Sequence, residues 1–127
     1  MKLLLLLISI AVSAMAQVTI GVPSSSGPAQ QPAITLSIAT PYNTDVSGTI
    51  TLTYASSVGG DDLTVRFSNG TRTLSFTIPK GQTQAVFTPA NPAVIIGTVA
   101  GTITLTASLT DPFFKDVTTS TTINVTP

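Results

Sequence analysis

The chain of 127 residues contains no cysteine, no histidine and no tryptophan, and its five acidic residues are all aspartate. Each gap removes a class of chemistry. Without Cys and His there is no thiol nucleophile, no imidazole base and none of the commonest zinc ligands. Without Glu, the acid–base candidates shrink to five Asp, the few Lys and Arg, and two Tyr. No Gly-x-Ser-x-Gly nucleophile elbow occurs. The sequence therefore reads as non-enzymatic, with no cofactor. Charge is also scarce: five Lys and Arg balance five Asp, for a net charge of zero. Such a chain offers no basic face to phosphates, which excludes nucleic acid as the expected partner. It offers no polybasic segment to anionic lipid either.

What the chain does have begins at its first residue. In "MKLLLLLISIAVSAMAQ", Lys2 precedes an apolar run from Leu3 to Val12, and Ala14-Met15-Ala16 follows. This is the charged, apolar and small-residue order of a secretory signal peptide. Cleavage after Ala16 is expected, placing the product in the periplasm, on the cell surface or in the medium. The division expected is a signal peptide over 1–16, a flexible N-terminal segment over 17–32 ("SSSGPAQQP" lies within it) and a folded domain over 33–127. Beyond the leader, no apolar run approaches the ~18 residues of a membrane span.

Threonine is frequent, and its placement is informative. It alternates with large apolar residues, the period-2 pattern of half-buried strands. "AITLSIAT" aligns Ile34, Leu36 and Ile38; "GTITLTY" aligns Ile50, Leu52 and Tyr54. "DLTVRF" aligns Leu63, Val65 and Phe67, and "TLSFTIP" aligns Leu74, Phe76 and Ile78. "QAVFT" is a short strand with Ala85 and Phe87 inward. "VAGTITLTASL" aligns Val99, Ile103, Leu105, Ala107 and Leu109, and "DVTTSTTINV" aligns Val117, Ile123 and Val125. Turn signals separate these segments. Asn69-Gly70 reads as a type I′ hairpin turn, and "PKGQ" places Gly81 where a turn needs positive φ. "PANPAVIIG" reads as a longer connection, because Pro89 and Pro92 disfavour a central strand. No helical period of useful length appears. The expected fold is all-β: a seven-stranded antiparallel β-sandwich of immunoglobulin-like type, with a closed barrel as the alternative.

The stretch "FTIPKGQTQAVFT", residues 76–88, resembles bacterial extracellular immunoglobulin-like modules and is similar to Calx-beta domains, which carry hairpins of this kind. "GTITLTAS" is another phrase common in secreted bacterial modules. The resemblance spans roughly 33–125. It implies a seven-strand sandwich with an extracellular adhesive or spacer role, and no catalytic centre. Calx-beta domains that bind calcium use clustered acidic residues in end loops.

Here Asp61 and Asp62 share one turn and are the weak metal candidates, while Asp also serves turns by capping local amides. Phe113 and Phe114 follow Pro112 in a turn. A plug at the end of the sandwich is the use expected first, with one of them exposed as a contact for a partner as the alternative. The Thr-x-Thr rows resemble the ice-binding faces of antifreeze proteins, although Thr is also simply a good outward strand residue. Asn69 and Asn124 each open an Asn-x-Thr sequon. The expected function is a secreted structural or adhesive module acting as scaffold or spacer, with a protein or glycan partner or neighbouring modules of a longer chain. The alternative is a carbohydrate-binding module that uses its end loops or a strand face.

The hexapeptide "GTITLT" occurs at Gly48–Thr53 and again at Gly101–Thr106. Counted along the seven segments, the copies are the second and sixth strands. In an immunoglobulin arrangement those two face each other across the core. Ile50 and Leu52 are therefore expected to pack against Ile103 and Leu105 from the opposite sheet, with the threonines outward.

Overall fold

The computed structural model of the chain describes residues 18–110 and 116–126. The expected leader 1–16 and the pair Phe113–Phe114 lie outside the described residues. Ten strands and no helix make up the described part: β1 (Val18–Gly21), β2 (Ser25–Ser26), β3 (Thr35–Ile38), β4 (Val46–Ser56), β5 (Arg66–Phe67), β6 (Thr73–Ile78), β7 (Val86–Thr88), β8 (Val94–Ile95), β9 (Gly101–Thr110) and β10 (Asp116–Val125).

Strict alternation builds the larger layer, a six-stranded sheet in the order β2-β10-β9-β4-β6-β7. Ile50, Leu52, Leu74, Phe76, Ile103, Leu105, Ala107 and Ile123 all turn inward and are buried. The intervening Thr and Ser turn outward. The second layer is made of short pieces. β1 pairs with β3 over four residues, and β5 pairs with β8 over two. The isolated bridge Ala33↔Ala93 joins them, with Ile34 N donating to Pro92 O and Val94 N to Pro32 O. The layer therefore runs β1-β3-β8-β5. It closes the core with Ile20, Leu36, Ile38, Val65, Phe67, Val94 and Ile96. Burying a side chain of this size is worth roughly 1.5–3 kcal/mol before entropy is subtracted, so both layers are needed to hold the chain folded.

The repeated hexapeptides are not opposed across the core. β4 and β9 are hydrogen-bonded neighbours, antiparallel, with Leu52 opposite Leu105 and Tyr54 opposite Ile103. The four apolar residues are buried and the threonines face out, as expected, but all from one sheet. The displacement comes from the count of strands. The segment 17–32, expected as a flexible N-terminal segment, holds β1 and β2, so β4 is not second in its layered order. Among the described residues ten strands stand where seven were expected, and β2 pairs parallel with β10 where only antiparallel pairs were expected.

Three local readings also change. Leu63 is 76% exposed, because the Asp61–Asp62 turn holds it outside the strand that begins at Arg66. β8 forms inside "PANPAVIIG" despite the two prolines. Pro92 sits just before it, contributing its carbonyl to Ile34 and needing no donor. At Asn69-Gly70 only Gly70 has positive φ, at 87°, so the turn is not type I′, which requires it at both residues. Gly70 N donates to Phe67 O and Phe67 N to Thr71 O, the pattern of a three-residue loop ending in a left-handed glycine.

Candidate functional site

Register makes the outer face of the six-stranded sheet a regular array. Thr122, Thr104 and Thr53 lie side by side on β10, β9 and β4. The next row is Ser120, Thr106, Thr51 and Thr73. The next is Thr118, Ser108, Thr49, Ser75 and Thr88, reaching the β7 edge. Neighbours in a row stand about 4.8 Å apart, and successive rows about 6.7 Å. All these side chains are exposed or half-buried. Thr106 and Ser120 share a hydrogen bond of 3.1 Å. Outer-face neighbours Ser47 and Thr77 sit 3.4 Å apart.

The described charged side chains lie off these rows, in the loops at the two ends and on β5. At the end where β4 finishes, Arg72 donates from Nη1 and Nη2 to both carboxylate oxygens of Asp61, at 3.1 and 2.9 Å. Its Nε and Nη2 reach Val65 O and Asp62 O. Those guanidinium hydrogen bonds hold the Asp61 carboxyl below the usual carboxylate range. Asp62 Oδ1 accepts from Thr64 N. Both metal-candidate carboxylates thus have protein partners, and no group of three or more metal-ligating side chains exists among the described residues. Arg72 was invisible in the sequence as the partner of the Asp61 carboxylate, since ten residues and a strand separate the two. At the same end the Tyr54 hydroxyl donates to Val99 O at 2.7 Å. Tyr54 is therefore half-buried at the mouth of the sandwich rather than deep in its core. At the opposite end, Asp45 Oδ1 accepts from Lys80 N and Tyr42 O from Gly81 N.

Pairing also locates where the chain enters and leaves. Val18 sits opposite Ile38, whose amide donates to Thr83 O, beside the turn at Gly81. Val125 sits opposite Gly101, which in turn faces Ser56 at the other end. The described chain therefore enters at one pole of the sandwich and leaves at the other. A cleft of about 380 Å³ opens between β3 and β7, lined by Ile34, Leu36, Ala85, Phe87 and Pro92 among others.

No protein-family model and no curated protein matches the chain. Among solved structures, one of murine CRIg, an immunoglobulin-like domain, is similar over 86% of this chain and 96% of that one. The sequence identity is 12% and the TM-score 0.44, and a likeness that distant carries no argument about strand order or function. No helix among the described residues is long and apolar enough to cross a membrane.

Proposed function

We propose that this protein is an exported, non-catalytic β-sandwich module that acts as a structural or adhesive spacer. The observation that carries this reading is the placement of entry and exit at opposite poles. A string of such modules extends, whereas a module with both ends at one pole folds the string back on itself. The layered order supports an immunoglobulin-like reading: β1-β3-β8-β5 follows the four-strand sheet of that fold, and β4-β9-β10 the order of its three-strand sheet. On this reading the repeats are the third and sixth strands, which are neighbours, and β6–β7 is an addition that widens the larger sheet. Export is tested by expressing the chain with its leader in a bacterial host. A mature N-terminus at Gln17 in the periplasm or medium supports the reading, and retention in the cytoplasm with Met1 intact refutes it.

A second reading has its own observation. The hydroxyl rows form a neutral, regular strand face, which suits a neutral glycan better than an acidic or phosphorylated partner. Binding of the protein to a panel of neutral polysaccharides, lost in Thr51→Tyr/Thr106→Tyr, supports it. Absence of binding, or equal binding by both proteins, removes it. The same panel with a Phe113→Ala/Phe114→Ala variant tests the loop version.

A further inference from the structure

We infer that the cleft between β3 and β7 is a docking site for an extended, uncharged peptide strand of a partner protein. Four main-chain groups that the fold leaves unpaired would recognise it. The inference goes beyond the spacer reading, and it stands on the pairing of β3, β6 and β7 alone.

Register identifies these groups. Leu52 N donates to Arg72 O, so the even-numbered residues of β6 direct their main chain to β4 and the odd-numbered ones to β7. Ser75–Thr88 and Thr77–Val86 are then the hydrogen-bonded pairs of β6 and β7, and Phe87 directs its N–H and C=O away from β6. On β3 the even-numbered residues direct theirs away from β1. Ile34 N donates to Pro92 O, Leu36 O accepts from Ala85 N, and Ile38 N donates to Thr83 O. After Ala85 the chain leaves β3 to join β6, so Leu36 N is left without an acceptor. Ile34 O lies opposite Pro92, which has no amide to offer. Among the described residues no hydrogen bond reaches Ile34 O, Leu36 N, Phe87 N or Phe87 O. All three residues are buried. A buried main-chain group without a partner costs free energy, which a guest that supplies the partner recovers.

The two walls are strand edges, and their complement is another main chain. Ile34 O and Leu36 N flank Thr35, the spacing that takes the N–H and C=O of one residue on a parallel strand. Phe87 offers both its groups to one residue of an antiparallel strand. β3 and the chain at Gln84 run antiparallel. A guest parallel to β3 is therefore antiparallel to β7, and two successive residues meet both walls. In strand addition such bonds give affinity, and side-chain contacts give selectivity. β7 ends the six-stranded sheet, and its Val86 is 57% exposed, an apolar surface that a neighbouring strand covers. None of the described residues lining the cleft is charged. A charged guest side chain would lose water there and gain no counter-charge, so the guest is neutral. The cleft volume of about 380 Å³ lies at the small end of the roughly 300–1,000 Å³ of ligand pockets. It admits a short stretch of chain and not a folded domain.

The experiment passes a pooled library of blocked, uncharged peptides built from Ala, Val, Thr and Ser over the immobilised full chain. Ala90→Arg closes the cleft, since Ala90 is exposed and lines it, and places a charge where the guest has none. Thr106→Arg puts the same charge on the outer sheet face and is the control. The expected result is a set of peptides retained by the native protein and by Thr106→Arg, and lost by Ala90→Arg. Titrating the best of them into isotopically labelled protein is expected to shift the amide signals of Leu36 and Phe87. Methylating the inner amide nitrogens of that peptide is expected to abolish binding, and this arm needs no protein variant to fold. Four results overturn the inference: no retention, retention unchanged by Ala90→Arg, binding that survives the methylation, or dimerisation of the protein that Ala90→Arg breaks. None of them bears on the export test, so the two readings fail separately.

Discussion

The two layers of this sandwich reach the same burial by different means. The larger sheet has long strands in continuous register, with β4 and β9 paired over nine residue positions from Gly48 to Ser56. The smaller layer has ladders of four and two residues stitched by an isolated bridge and loop hydrogen bonds. Yet Phe67, on a two-residue strand, is as fully buried as Leu105 on a ten-residue one. Core membership here depends on where a side chain is held and not on the length of ladder that holds it.

The largest test of that statement is Phe67→Ala. It is expected to destabilise by about 3–5 kcal/mol, matching or exceeding Leu105→Ala at about 2–5 kcal/mol, as measured by urea denaturation. A loss under about 1 kcal/mol for Phe67→Ala would mean that the short layer is loosely attached and the comparison fails.

Next comes the close approach that long register demands. A Cβ at Gly48 would collide with Ser108 O and with the ring of Phe76, since β9 and an inward side chain pass on either side. Gly48→Ala is expected to cost about 3 kcal/mol, the upper end of the usual range for overpacking, because the added Cβ meets backbone that cannot give way. Gly59, in the loop after β4, has open space around it and a φ of 83°. Gly59→Ala is expected to cost about 1–2 kcal/mol from backbone conformation alone. Equal sensitivity to Ala at both sites would show that steric crowding does not distinguish the sheet from the loop.

A smaller effect separates the loops from both layers. Asp61, paired with Arg72, titrates in the fold below its ordinary value of 3.8. A lowered carboxylate stabilises the fold above that ordinary value, and the contribution disappears as pH falls through the folded value. Asp61→Asn is therefore expected to flatten the acid limb of stability below about pH 4 and to leave its slope at neutral pH unchanged, followed by denaturation midpoints from pH 6 to pH 2. An unchanged acid limb would mean that the exposed pair adds nothing. The smallest expected effect is on the outer face. Thr51→Ala/Thr106→Ala should shift stability by no more than about 0.5 kcal/mol per site, since these hydroxyls serve neither the core nor the ladder.

The legible part of the sequence was the larger sheet. At Ile50, Leu52, Leu74, Phe76, Ile103 and Leu105 one face is buried and the other is wet, so alternation alone reports the orientation. The smaller layer was not legible for matching reasons. β1 carries a short alternation, Val18, Ile20 and Val22, directly after the expected leader, while β2 lies among Ser and Pro with none, and the pairing of both depends on distant partners on β3 and β10. β8 is two residues long and hidden behind Pro92. Leu63 continued an alternation that the Asp61–Asp62 turn interrupts, and nothing local announces the ion pair of Asp61 with a residue eleven positions along. For the candidate site, the outward threonines were readable one strand at a time. Their assembly into rows was not, because that depends on β4 lying beside β9.

That adjacency supports the hydroxyl face and the assignment of strands to layers, and one measurement addresses it directly. Leu52 N donates to Arg72 O, so Leu52 directs its backbone groups to β6 and forms a non-hydrogen-bonded pair with Leu105. In such a pair the Cα atoms lie about 4.5 Å apart, whereas strands facing each other across a sandwich are about 10 Å apart. A nuclear Overhauser spectrum of the labelled protein should show a strong cross-peak between the Hα protons of Leu52 and Leu105, with others for Ile50–Ala107 and Tyr54–Ile103. Absence of all three, with only methyl contacts between Leu52 and Leu105, would place the repeats in opposite sheets and contradict the account.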